Sequence, residues 1–200
     1  MGDPPELPEI LDHIWALIVR GVADRKHPFH QITIATIDPQ NGADARTVVL
    51  RHCDPDAGTV GFHTDRRAPK LTHLASDPRC AVLLYDHGAK TQIRIHAEAS
   101  VHSDDAIADE MWEQTRLFSR RCYLAPHAPS TESTRHDPNL PDAFLDTDPD
   151  QESSEVGRAN FCVVRCRALS IDWLYLCAKG HQRARFDRTG TGWSSTWLRP

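Results

Sequence analysis

The 200-residue chain is short of several things, and each shortage argues against something. It lacks a surplus of positive charge: 23 Lys and Arg stand against 28 Asp and Glu, a formal net charge of −5. Bulk nucleic-acid binding, which needs a basic face, is disfavoured, while a local basic pocket stays open. It lacks any apolar run long enough to span a bilayer. Its opening, MGDPPELPEI, has neither the charged nor the apolar segment of a secretory signal, and Glu6 stands where a myristoylation signal wants Ser or Thr. A cytoplasmic protein is expected. None of the six cysteines lies in CxxC spacing and no His/Cys run has zinc-site form, so no metal is expected. Cys162 and Cys166 share strand parity and are read as small buried thiols, with a disulfide as the lesser alternative.

What is present is ordinary for a globular protein: 26% charged and 40% hydrophobic residues, enough for one domain over residues 1–200 with a proper core. The chain is organised around residues 46–70, RTVVLRHCDPDAGTVGFHTDRRAPK. Val48, Val49 and Leu50 form a strand bracketed by Arg46 and Arg51. Pro55 and Gly58 supply turn chemistry, and Val60 to Thr64 returns as a second strand. A helix then opens with Pro69 in its first turn. Unpaired N–H groups there, with Arg and Lys nearby, suit a phosphate. The alternative is a hairpin with a solvated basic turn.

Residues 1–6 are expected to be loose. From Leu7, apolar residues at helical spacing (Ile10, Leu11, Ile14, Trp15, Ile18) predict a packed helix. QITIATID at 31–38 alternates as a half-buried strand, and Asn41-Gly42 turns it into the strand of Arg46. Further strands are expected at 80–85 and 91–101, the second placing Gln92, Arg94 and His96 on one face. Ser103 is a candidate N-cap for a helix reaching about Arg121. Residues 125–157 hold five prolines, eight acidic residues and one arginine, and read as a long acidic loop: an insertion, or a lid. Strand follows from Asn160, with a turn near Ser170, and a basic strand from His181 to Phe186. Six to eight antiparallel strands without a βαβ rhythm predict a mainly β protein with peripheral helices, built as a closed or split β-barrel.

Arg46-Thr-Val-Val-Leu-Arg51, Phe62-His-Thr64 with Lys70, Gln92, Trp173 and Arg183-Ala-Arg185 come in the order of a known signature. Together they resemble the pyridoxamine 5′-phosphate oxidase-like flavoproteins, in particular the oxidase-related FMN-binding branch. The resemblance implies an antiparallel split barrel, a homodimer, and FMN at the subunit interface. It implies that Arg46 and Lys70 hold the FMN phosphate, with Thr64 and the backbone around His63 adding hydrogen bonds. Thr47, Val48 and Val49 would run beside the flavin, Gln92 would face its polar edge, and Trp173 and Arg185 would come from the partner subunit. Arg51 takes the place of a substrate-phosphate lysine, and Arg can bind a phosphate bidentately where Lys cannot.

Departures accompany the likeness. Ala68-Pro69 replaces the Ser-Arg that precedes the phosphate lysine in the oxidases, with Arg66 and Arg67 as candidate compensators. His181-Gln-Arg183 replaces the Arg-x-His pair that meets substrate, and Arg120, Arg121 and Tyr123 lie near the rest of the substrate-phosphate site. Three functions are consistent with these residues. One is an FMN-dependent oxidoreductase acting on a small molecule, pyridoxamine phosphate or another. The second is a flavin-binding or flavin-reductase-like protein without vitamin B6 chemistry. The third is a non-redox β-barrel module for another phosphorylated ligand.

Overall fold

A computed structural model describes residues 6–190 and 192–200. The expectation for residues 1–5 and the Thr191 position of the last turn lie outside the described residues. Helix α1, Leu7–Ala23, forms where the apolar stripe predicts it and buries Ile10, Ile14, Trp15 and Ile18 against the core. Strands β1 (Gln31–Asp38), β2 (Gly42–Asp54) and β3 (Thr59–Asp65) make the expected meander. Gly42 at the first turn has φ +85°, a conformation that costs glycine nothing. Helix α2, Pro69–Ser76, follows, then β4 (Arg79–Asp86) and β5 (Thr91–His102).

After β5 come α3 (Ala106–Gln114), the single turn α4 (Leu117–Arg120), and α5 (Gln151–Glu155), before β6 (Phe161–Tyr175), β7 (Gln182–Arg188) and β8 (Trp193–Leu198). The strands hydrogen-bond in the order β3-β2-β1-β4-β5-β6-β7-β8, all antiparallel. The first half of β6 also pairs with β3, from Asp65–Phe161 to Thr59–Arg167. That pairing closes β1 to β6 into a barrel. The second half of β6 exchanges β3 for β7, so β7 and β8 extend the sheet beyond the closure. The expected antiparallel split barrel is thus the fold. Its core is filled by alternate residues of every barrel strand, among them Ile32, Ile34, Leu50, Phe62, Val82, Ile93, Ile95 and Val164. Cys162 and Cys166 are buried, as read, and Cys166 Sγ lies 3.8 Å from Cys80 Sγ.

Three local expectations are corrected. The N-cap of α3 is Asp105, whose carboxylate accepts from Ala108 N at 3.0 Å, and not Ser103. That helix does not run to Arg121: it stops at Thr115, whose hydroxyl turns back to the Met111 carbonyl at 2.7 Å. Ser170 is no turn. β6 continues through it, and Leu169 is the extra residue of a bulge where the register with β5 shifts between His96 and Ala97. The acidic loop, set at 125–157, also carries α5 in its last part, N-capped by Asp150 onto Ser153 N at 2.8 Å.

Candidate functional site

Arg46 sits on β2 opposite Ile34, on the barrel's inner side near one end. Its Nη1 donates to Thr36 Oγ1 at 2.7 Å, and Nη2 pairs with Asp44. Lys70, in the first turn of α2, donates to the buried Thr64 Oγ1 at 2.9 Å. Burial lowers the Lys70 pKa, and the nearby Arg46 guanidinium lowers it further. The sequence thus brings two cations from different elements to one place, against their mutual repulsion. Each has a neutral hydroxyl as partner, and of the two only Arg46 pairs directly with a carboxylate.

Adjoining positions of β2 and β3 line a cleft of about 700 Å³, which Arg46, Thr64 and Lys70 themselves do not line. Thr47, Val48, Val49, Arg51 and His63 of the expected set all line it. Arg51 falls at a β-bulge, where the register of β2 on β3 shifts between Leu50 and His52. Bulges re-aim side chains, and this one presents the guanidinium to the cleft. Arg25, Arg116 and Arg121 line it as well, and among the described residues no Asp or Glu does. The His63 ring packs edge-on to Phe161 at 4.8 Å, and its Nε2 is buried without a partner. Burial, with Arg51 and Arg165 close by, lowers its pKa from 6.5 to about 4, so the ring is neutral at physiological pH.

The remaining expected residues lie elsewhere on the same chain. Gln92, Arg183 and Arg185 sit on the outward face of β5 and β7, in register rows running through Leu174 and Asp172. Trp173 is buried on the inward face, stacked on Tyr175 at 6.3 Å. Arg185 bonds Asp187, and Arg183 and Arg94 share Asp172. His181 Nδ1 accepts from Cys177 N at 3.2 Å. The candidate compensators Arg66 and Arg67 are both engaged: Arg66 forks onto Asp104, and Arg67 forks onto Asp65 and reaches the Ala125 carbonyl. Of the pair Arg120 and Arg121, only Arg121 lines the cleft. Arg120 is buried over the Trp112 ring and bonded to Glu155 at 2.6 Å.

Sequence reasoning missed Thr36, Asp44 and His73, which contact or back Arg46, and Arg25 and Arg116 in the cleft. Thr36 and His73 meet only through the fold, 37 positions apart, so no local spacing marks them.

Comparison with known proteins decides the family. Residues 22–138, more than half of the chain, match the sequence model of the family described as pyridoxamine 5′-phosphate oxidase. The chain belongs to the pyridoxamine 5′-phosphate oxidase family. Within it, the chain is 29% identical to dihydrophenazinedicarboxylate synthase of Pseudomonas chlororaphis, over 98% of this chain and 86% of that protein. It is 33% identical to the pyridoxine/pyridoxamine 5′-phosphate oxidase of Ralstonia pickettii, but over 44% of this chain and 41% of that one. Two solved structures share the fold. One is an FMN binding protein of Nostoc punctiforme related to pyridoxamine 5′-phosphate oxidase, with TM-score 0.73 and 21% identity, covering 94% of this chain and 96% of that one. The other is PhzG of Burkholderia lata, in complex with tetrahydrophenazine-1-carboxylic acid, with TM-score 0.66 and 20% identity, covering 99% and 95%.

Proposed function

We propose that this member of the family binds FMN through a phosphate held between Arg46 and Lys70, and uses it to oxidise a small anionic molecule in the arginine-lined cleft. The observation that carries the reading is the paired cations at the barrel end. A lysine whose ammonium is disfavoured by burial and by a neighbouring guanidinium gains most from an arriving dianion. The rest of the surroundings suit the ligand. Thr47, Val48 and Val49 offer a flat, largely apolar wall, Thr64 a hydroxyl, and the backbone at His63 a further hydrogen-bonding edge. Bound there, FMN supplies a two-electron acceptor. The chain's own residues bind, orient and exclude water: Arg51 draws an anionic substrate to the cleft, and neutral His63 can exchange a hydrogen bond at Nε2 without adding charge.

Gln92 and Arg185 are assigned to the flavin ring across a homodimer interface, while Trp173, buried on the opposite face of β6, would reach that ring only from the core side. The outward face around Gln92 supports this, since Leu83 and Tyr85 there are 37% and 44% exposed beside the Arg94–Asp172–Arg183 cluster. The substrate we favour is a reduced nitrogen heteroaromatic carboxylate. The near-full-length relative is named for such a product, whereas the named pyridoxamine phosphate oxidase aligns over less than half of the chain. His181 and Arg183, at the oxidase substrate positions, are also held by local partners. Pyridoxamine phosphate is the second reading, favoured by Arg51 in the cleft. Purified protein should be yellow, or take up added FMN with an oxidised-flavin spectrum. Hydrogen peroxide release with a tetrahydrophenazine carboxylate, which loses two hydrogens to reach the dihydrophenazine level, against pyridoxamine phosphate, separates the two substrates. A colourless protein that ignores FMN contradicts the proposal.

A further inference from the structure

The grip on the proposed phosphate depends on how the two cations are held relative to each other, because they ride on different elements. Arg46 is on β2 and Lys70 on α2. The described residues contain one hydrogen-bonded chain between them. Arg46 Nη1 donates to Thr36 Oγ1 at 2.7 Å, and Thr36 Oγ1 lies 3.1 Å from His73 Nδ1. His73 is three residues after Lys70 on α2, and Thr36 and His73 are both buried. An arginine nitrogen only donates, so it occupies one lone pair of the threonine oxygen and leaves the O–H and a second lone pair for the bond with His73 Nδ1. His73 Nε2 faces Asp38 Oδ2 at 3.7 Å. Asp38 is itself fixed at the β1–β2 turn, accepting from Gln40 N, Asn41 N and Asn41 Nδ2. Asp44 Oδ2, 3.8 Å from His73 Nδ1, is held by Arg46 Nη2.

We propose that His73 is a positioning residue: through Thr36 it holds the Arg46 guanidinium in the orientation that meets the proposed phosphate together with Lys70. The inference rests on the phosphate reading above and extends it to residues with no part in that reading. The hydrogen bonds run from the imidazole through the hydroxyl to the guanidinium, with the turn carboxylate 3.7 Å from the far nitrogen of the imidazole. Removing Thr36 or His73 leaves the Arg46 guanidinium with Asp44 as its remaining side-chain partner among the described residues, and so with more freedom to swing. A residue that merely filled space between α2 and β1 would support the apoprotein and show no preference among ligands. A residue that aims Arg46 matters for ligands carrying the phosphate and not for those lacking it.

The test compares FMN with riboflavin, identical except for the phosphate, by flavin fluorescence titration of the full-length apoprotein. Wild type is expected to prefer FMN. His73→Leu, which removes both ring nitrogens, and Thr36→Val, which keeps the threonine shape without its hydroxyl, should each weaken FMN about 10- to 100-fold, the scale of one hydrogen bond to a charged group. Riboflavin affinity should stay within about twofold, well under a single such bond. His73→Gln, able to accept from Thr36 and donate to Asp38, and Thr36→Ser should restore most of the preference. In an Arg46→Ala background, His73→Leu should cost nothing more. Equal losses for FMN and riboflavin, or a full FMN preference retained in both His73→Leu and Thr36→Val, would overturn the positioning role. A wild type that binds both flavins equally would instead overturn the phosphate reading, and the inference with it.

Discussion

At the scale of single residues, the site is built by placing charge where the apoprotein does not want it. Lys70 is pushed below its usual value of 10.5 by burial and by Arg46, so its charged form is disfavoured in the fold relative to the unfolded chain. The sign follows directly. Below the folded pKa the apoprotein carries a penalty, which fades as pH rises toward 10.5. Lys70→Met should therefore leave the apoprotein melting temperature at pH 7 unchanged or raised, while FMN affinity falls at least about tenfold. Calorimetry of the apoprotein and flavin titration check the two halves. His63 behaves likewise. Its pKa falls from 6.5 to about 4 on folding, so between those values the unfolded chain takes the proton first and stability drops as pH falls. His63→Phe should flatten that part of the stability–pH curve measured by urea unfolding, and an unchanged slope would show that the buried ring is not its source.

At the scale of elements, much of the barrel is written in local pattern. The alternation of 31–38, the Asn-Gly turn and the Pro69 helix start are visible in sequence because each is decided within a few residues. The region after β5 is not. The helical periodicity from 103 to 121 continues past the point where Thr115 caps α3, because what breaks the helix is Arg120 folding back. Its guanidinium reaches the Trp112 and Thr115 carbonyls at 2.7 and 3.0 Å, and Ser154 and Glu155 of α5 at 3.2 and 2.6 Å. Those α5 partners are more than 30 positions away, so sequence gives Arg120 and Arg121 equal standing. The structure separates them. Arg120→Leu should destabilise the fold by about 2–4 kcal/mol, through orphaned carbonyls and a lost buried network. Arg121→Leu should cost under about 0.5 kcal/mol, as a surface change does, and show its effect on substrate instead. Denaturant midpoints for the two variants decide it. The bulge at Leu169 escaped for a related reason: a register shift is a property of two strands, and a serine beside it reads locally as a turn.

At the scale of the whole molecule, the site as proposed is divided. One chain places Arg46, Lys70 and Thr64 together and builds the arginine-lined cleft from adjoining positions, while Gln92 lies on barrel strand β5 and Trp173 and Arg185 lie where β6 and β7 leave the barrel's closure. The roles proposed for them come only from the family resemblance, and their position away from the cleft fits the proposed sharing of a site between two copies. A homodimer burying about 800 Å² per partner, the usual size of a specific interface, is the expected state. Sedimentation of the flavin-loaded protein at micromolar concentration should give twice the 22.5 kDa chain mass, and a flavin-loaded monomer would contradict the shared site. The central claim is narrower: Arg46 and Lys70 hold the phosphate of FMN. Equilibrium dialysis of FMN against wild type, Arg46→Ala, Lys70→Ala and Arg66→Ala tests it most directly. The account predicts retention by wild type and Arg66→Ala, with losses of at least about tenfold for the other two, whereas equal losses in all three variants, or no retention by wild type, would contradict it.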